Sequence, residues 1–386
     1  MEIKIGTQIF YRQTKCLNRM GHSLDQQIKE SKLKQISQIF LLFVVASAQY
    51  PLINYLIYHR NNMELVTACM SVACTNILSF VKFITYFINK EMFLEITNEF
   101  KTMWENSDEF ASNFIKVQNK MADRAVNLYF YSIISTASYF MVTPVAKVAY
   151  GKMFNVPIVR ELPMAMRFFF DAEQSPGYEC AFIYTGLVTF IVVQYVVATD
   201  GFFIAFTIHL RSHFKLLQQN IENNTFLKND ATINYEICSY VKYHIKLLDL
   251  ANKICETFKP IIFIHFLITS LQVCVIIYQL VTNLDNAVIL AIYITFLTSI
   301  LLQLLIYCFG GEMLKTESLM VGTSIQISRY YNLSPKYRKM LCLILMRSQK
   351  EVIVKAGFYV ASLENFMTIL KAAMSYITLI QSIEQV

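Results

Sequence analysis

ASLENFMTILKAAMSYITLIQSIEQV, residues Ala361 to Val386, is the stretch that decides how the chain is read. At about 100° per residue, Glu364, Thr368, Lys371, Ser375, Thr378 and Ser382 fall within an arc of roughly 80° on a helix. Phe366, Ile369, Leu370, Ala373, Ile377 and Ile380 cover the rest of the wheel. A helix of about 20 residues crosses the hydrocarbon layer, and polar groups at that depth need a partner or water. The stripe therefore either lines a water-filled path or packs against other helices.

Working outward, the composition sets the context for this stretch. Hydrophobic residues make up 55% of the chain and charged ones 16%, with a mean hydropathy of +0.42, which identifies an integral membrane protein. Uncharged windows run over 35–58, 65–81, 125–146, 180–199, 260–284 and 286–311. With the closing stretch they predict an all-α membrane protein of seven transmembrane helices. Residues 1–34 are polar and basic without an apolar core, unlike a cleavable signal peptide.

Orientation follows from the basic residues. A cytoplasmic N-terminus places 27 of the 34 Lys and Arg residues on the inner side and five outside, with Lys82 and Lys371 inside spans. Seven spans then predict an extracellular C-terminus, and the net charge of +7 is a topology signal with no need for nucleic acid. The nine cysteines show no CxxC spacing. The sequons at Asn223 and Asn332 fall on the inner side and are expected to carry no glycan.

The chain divides into a cytoplasmic tail (1–34), a six-span region with helical cytoplasmic extensions (35–328), and an anchor helix with the closing helix (329–386). The tail reads as a solvated helix or coil. Pro51 predicts a kink in the first span. Lys82, near the inner end of the second, reads as an anchor whose ammonium snorkels to the interface. The loop from Lys147 to Glu179 is long enough to fold over the mouth of the bundle as a lid. His209 and His213 have metal-ligand spacing on a helix, but HLRSH lacks a third ligand, so no metal and no cofactor is assigned. Further on, Ser334 and Pro335 predict a helix start. That helix carries apolar Leu341, Ile344 and Leu345 opposite Lys339, Arg347 and Lys350, a pattern that predicts one face buried on a partner subunit.

Three strings carry a resemblance: YCFGGEML (307–314), SPKYRKMLCLILMRSQK (334–350) and VKAGFYVASLENFMTILKAAMSYITLIQ (354–381). In order and content they resemble the C-terminal signature of insect odorant receptors, and the likeness extends to chain length, span number and the DGFF string at Asp200–Phe203. The resemblance implies a ligand-gated cation channel subunit in the plasma membrane of olfactory sensory neuron dendrites. Four subunits surround one pore, as a heterotetramer with the odorant receptor co-receptor. It implies a pore lined by the last helix, with Ser375, Thr378, Leu379 and Ser382 at the pore and gate. Leu379 stands beside the polar arc, where an apolar ring gates by dewetting. Lys371 on that face either leans toward Glu364 or faces a neighbouring subunit.

The resemblance also implies a volatile odorant or pheromone in the outer half of the bundle, where apolar walls with few polar groups are expected. The expected contacts are Ile77, Phe80 and Val81; Thr136, Tyr139, Phe140 and Thr143; Tyr184, Val188 and Ile191; and Tyr293 and Phe296.

Other classes fit less well. No Gly-rich phosphate loop, HExxH or paired catalytic carboxylates favour an enzyme. A G-protein-coupled receptor needs the opposite orientation. A seven-span transporter is the alternative from another class, although the internal repeats usual in carriers are not visible. A gustatory receptor-like channel is the nearer alternative. Such chains end in Tyr, five apolar residues and Gln-Phe, whereas here Tyr376 is followed by four residues before Gln381 and then Ser382.

Overall fold

The computed structural model describes residues 9–23, 31–154 and 160–384, with side chains in the last helix as far as 375. Eleven α-helices and one short hairpin are present among them. In order they are α1 (Tyr11–Arg19), α2 (Lys32–Ser47), α3 (Gln49–Tyr58), α4 (Met63–Ile88), α5 (Lys90–Glu105), α6 (Glu109–Phe154) and α7 (Gly177–Glu222). Then come α8 (Asp230–Thr282), α9 (Ala287–Ile327), α10 (Pro335–Ser348), β1 (Lys355–Ala356), β2 (Tyr359–Val360) and α11 (Leu363–Glu384).

Short polar side chains start many of these helices by accepting the orphan N–H groups of a first turn. Asn62 Oδ1 accepts from Glu64 and Leu65, Asn229 Oδ1 from Thr232, Asn286 Oδ1 from Ile289, and Asp108 Oδ1 from Ala111. Ser334 stands at the cap position of α10 with Pro335 behind it, but its hydroxyl makes no cap bond. The first span is broken at Ala48. Pro51 offers no N–H to Ser47 and its ring crowds that carbonyl, so α2 ends and α3 starts in a new direction.

Among the described residues, six helical segments are long and apolar enough to cross a membrane: α2 with α3, α4, α6, α7, α8 and α9. In α6, α7, α8 and α9 each helix continues well past one bilayer thickness, which needs about 20 residues. Their extended ends form a bundle in which Glu317 of α9 meets Arg211 at 3.1 Å and Lys215 at 3.4 Å on α7. Lys246 and Lys253 of α8 meet Glu99 and Glu95 of α5 at 2.7 and 2.8 Å.

Helix α7 is the axis of the fold. All its residues from 194 to 210 are buried, and α1, α4, α6, α8 and α9 pack around it. Phe202, Phe203 and Phe206 interlock with Phe10, Phe93, Phe100 and Phe258 at ring separations of 5.1–6.4 Å. His209 and His213 belong to this cluster through Phe100. The His213 ring shares a 2.7 Å hydrogen bond with the Tyr243 hydroxyl.

Two expectations are corrected here. The described part of the tail is docked, not solvated: Gln13 donates to the Gly201 carbonyl at 2.8 Å, and His22 bonds the Tyr195 hydroxyl at 2.7 Å. A side chain at Gly201 would put its Cβ 3.1 Å from Gln13, so the glycine of DGFF makes room for the tail. In α10, Leu341 and Ile344 are buried, with Tyr337, inside the same chain. Helices α8 and α9 cover them, because the turn at Tyr330–Asn332 folds α10 back onto the helices it follows.

Candidate ligand-binding site and pore helix

Between α4, α6, α7, α8 and α9 lies a cavity of about 130 Å³. That is close to the roughly 150 Å³ apolar cavity that holds benzene in an engineered protein core. Its walls include Val72, Leu78, Ile133, Val192 and Ile300, with Met164 of the segment before α7. That segment is fixed by backbone and side-chain bonds. Arg167 N–H donates to the Pro51 carbonyl at 2.9 Å, Cys69 Sγ donates to the Ala165 carbonyl at 3.2 Å, and the Arg167 guanidinium lies 3.3 Å over the Tyr58 ring.

Helix α8 is clamped to α4 by two glutamines two turns apart. Gln272 donates to the Ser71 carbonyl and Thr75 hydroxyl at 2.9 and 2.7 Å, and Gln279 donates to the Glu64 carbonyl and Thr67 hydroxyl at 2.6 and 2.7 Å. Polar bonds of this kind contribute about 0.6 kcal/mol each between helices in a membrane. Their larger effect is to fix the register of α4, and with it which α4 residues face the cavity.

Of the contacts expected from sequence, Thr136, Phe140, Val188 and Phe296 line the cavity. Phe140 and Phe296 meet edge to face at 5.6 Å, and Thr136 shares a 2.6 Å hydrogen bond with Ser299. The others lie elsewhere. Ile77 and Tyr139 are 43% and 44% exposed on the outside of α4 and α6. Phe80 and Val81 are half-buried off the cavity, and Ile191 is in the core. Thr143 bonds the Tyr139 carbonyl at 2.7 Å, Tyr184 bonds Ser47 at 2.7 Å, and Tyr293 packs behind Phe296. Sequence reasoning missed Asn76, Met164, Gln272 and Gln303, all of which line the cavity.

Beneath the cavity sits a charge pair. Lys82 is fully buried and its ammonium contacts Asp200 at 2.7 Å, so the expectation that it snorkels to the interface is corrected. Asp200 also accepts from the Tyr307 hydroxyl at 2.5 Å, from Gln303 at 2.7 Å and from the Tyr129 hydroxyl. Four helices, α4, α6, α7 and α9, thus meet on one carboxylate. An isolated charge in hydrocarbon is too costly to keep, whereas a pair whose carboxylate accepts three further hydrogen bonds is sustainable. Lys82 and Gln303 are at once members of this network and the floor of the cavity. The sequence signal was available: two opposite charges inside two different spans are each other's natural partner.

One face of α9 leads from this floor to the last helix. Gln303, Tyr307 and Gly311 are spaced at i, i+4 and i+8 and so lie in line. A Cβ at Gly311 would stand 2.1 Å from the Ala361 carbonyl oxygen, so only glycine lets the segment before α11 dock there. Along α11, Ala373 is buried against Val273 and Ile277 of α8, with Leu297 and Leu301 of α9 beside it. Glu364, Thr368, Lys371 and Ser375 are all exposed. Ser375 is therefore on the outward face, while the side chains of Thr378, Leu379 and Ser382 lie outside the described residues.

Fold and cavity together define a class: a many-helix membrane protein with a cavity of small-molecule size between its helices. Comparison with known proteins narrows the class. A family model described as "7tm Odorant receptor" matches residues 61–374. Odorant receptor 82a of Drosophila melanogaster is 44% identical over 98% of this chain and 100% of its own length. Odorant receptor 47a of the same fly is 25% identical over 87% and 89%. In three dimensions the chain matches the insect olfactory receptor OR5 of Machilis hrabei, in complex with eugenol, with a TM-score of 0.84 at 16% identity over 97% of both chains. The chain belongs to the insect odorant receptor family. It is a membrane receptor and not an enzyme.

Proposed function

We propose that this chain is the odorant-tuned subunit of a ligand-gated cation channel in the plasma membrane of olfactory sensory neuron dendrites. In this reading the N-terminus is cytoplasmic and the C-terminus extracellular, and the chain assembles with the odorant receptor co-receptor as a heterotetramer. The observation that carries the reading is the one-sidedness of α11. Its apolar back is held by α8 and α9 while Glu364, Thr368, Lys371 and Ser375 face away from the chain. A helix at membrane depth that turns a polar stripe outward needs water on that side, and a shared pore supplies it. Ser375, Thr378, Leu379 and Ser382 are then the pore and gate positions, and Thr136, Phe140, Val188 and Phe296 are ligand contacts.

The anchor bundle and α10, through its exposed Leu343 and Met346, offer the contacts between subunits. The joint at Gly311 and Ala361 gives ligand occupancy a route to the gate along a single helix face. Whole-cell recording with a volatile panel, in cells expressing this chain with and without the co-receptor, tests the proposal. A cation current that requires both chains supports it. Saturable flux without single-channel steps sinks it.

A further inference from the structure

We propose that Ser334 is a phosphorylation site for a proline-directed protein kinase, and that Arg338 holds the phosphoryl group it receives. The proposal rests on the cytoplasmic placement of α10 in the reading above, the side on which ATP and kinases act. Ser334 stands where a short hydroxyl side chain normally caps a helix, yet its hydroxyl makes no such bond and the residue is exposed. Leu333 and Tyr337 are each 2% exposed and pin the segment on either side of it. Between them the backbone is extended at Leu333 (φ −77°, ψ 149°) and at Ser334 (φ −65°, ψ 157°), as Pro335 requires of the residue before it. The chain therefore offers an extended Ser-Pro step with its hydroxyl unspent and in solvent. In the transfer, the kinase's catalytic carboxylate accepts the Ser334 hydroxyl proton while Oγ bonds the γ-phosphorus of MgATP; the bond from that phosphorus to the bridging oxygen breaks and ADP leaves.

Arg338 supplies the second observation. Its Nε–H donates to the Leu333 carbonyl at 2.8 Å, which anchors the guanidinium one residue from Ser334. Among the described residues its other N–H groups meet no carboxylate. The first turn of α10 carries no acidic residue, and Lys336 and Lys339 are exposed in it. Asp230 of α8, the carboxylate that touches this turn, accepts from the Tyr337 hydroxyl at 3.0 Å. A phosphoryl group with a charge of about −2 placed there gains charge-assisted bonds to an arginine already in position. The site also stays clear of the proposed subunit contact, because Leu343 lies nine residues further on, roughly 14 Å along the helix.

The test is treatment of the purified full chain with a mitogen-activated, proline-directed kinase and MgATP, with the modified residue located by peptide mass spectrometry. One phosphoryl group on Ser334 is expected, absent from Ser334→Ala and largely lost from Pro335→Ala, which keeps the hydroxyl. Amide hydrogen exchange in the first turn of α10 is expected to slow about 5- to 30-fold in the phosphorylated chain. Arg338→Gln is expected to take the phosphoryl group and lose that slowing. The wild-type mapping and exchange comparison stand alone if a variant does not fold. No phosphate on Ser334, equal modification of Pro335→Ala, or a phosphorylated chain whose exchange is unchanged would each overturn the proposal. Failure of the topology shows differently: in intact cells a glycan on Asn332 with no phosphate on Ser334, from a chain that takes phosphate once purified, overturns the cytoplasmic placement and with it the use of the site.

Discussion

Asp200 and Lys82 depend on each other unequally. Asp200 keeps three neutral donors, from Tyr129, Tyr307 and Gln303, if the lysine is removed. The ammonium of Lys82 has Asp200 as its hydrogen-bonded counter-charge. Asp200→Asn should therefore cost about 3–5 kcal/mol, the range for stranding a buried charge, and Lys82→Met distinctly less. Thermal unfolding of the detergent-solubilised variants checks the order, and equal losses would count against it. At the cavity, Phe140→Ala removes one wall of the aromatic pair with Phe296 and should weaken small ligands by roughly tenfold or more. Tyr139→Ala, on the outer surface of α6, should leave potency within about twofold. Dose–response curves for the two variants decide between them. Sequence placed Phe140 and its neighbour Tyr139 together because an aromatic run at helical spacing does not tell which side faces inward. Knowing the contacts of α6 with α7 and α9 resolves it. Lys82 was misread for a related reason: a lysine near a span end has two outcomes, and which one holds depends on a carboxylate 118 positions away.

At the level of elements, hydropathy located α2 with α3, α4, α6, α7, α8 and α9 because burial in lipid imposes the same demand on every span. The extensions of α7 and α8 beyond the apolar windows were legible instead from the helical patterning of 210–259, as ordinary amphipathic helices. The docking of α1 was hidden, because its contacts, Gln13 to Gly201 and His22 to Tyr195, are made by polar residues that read as solvated. The polar arc of α11 was legible from its spacing alone, and of the apolar remainder Phe366, Ile369 and Ala373 pack into the core. Two predictions belong to this helix and its joint. Gly311→Val forces a side chain into the space held by the Ala361 carbonyl, and it should abolish ligand-evoked current while leaving ligand binding within about threefold. Loss of binding as well would point to general misfolding. Leu379→Ala removes the apolar ring proposed as the gate and should raise ligand-free conductance; an unchanged basal current together with an unchanged ligand response would sink that assignment.

For the whole molecule, the proposed topology predicts that an epitope after Val386 is reached by antibody on intact cells, whereas one before Met1 is reached only after permeabilisation. Asn223 and Asn332 should remain unglycosylated in a eukaryotic host, and a glycan on either would reverse the orientation. The cavity, the charge pair and the Gly311 joint lie along a single route through the chain, from the outer loop at Met164 to the base of α11. That arrangement makes the receptor sensitive to its interior over a long distance, since the floor of the ligand site is also the cross-tie of four helices.

The buried pair has a further consequence, for biosynthesis. Lys82 leaves the ribosome 118 residues ahead of Asp200, an interval of roughly 6–24 s at about 5–20 residues per second. Throughout that interval α4 is in the translocon or the bilayer with a charge whose insertion costs about 2.5–3.5 kcal/mol at mid-helix. In the proposed topology Lys82 lies near the cytoplasmic end of α4, where its ammonium can wait at the interface until α7 arrives and draws it inward. Nascent chains halted before Asp200 should therefore hold α4 loosely and fall to quality-control proteolysis, and chains released after α9 should not. On that topology the receptor is assembled around an ion pair whose first half is kept in solvent until the second is made.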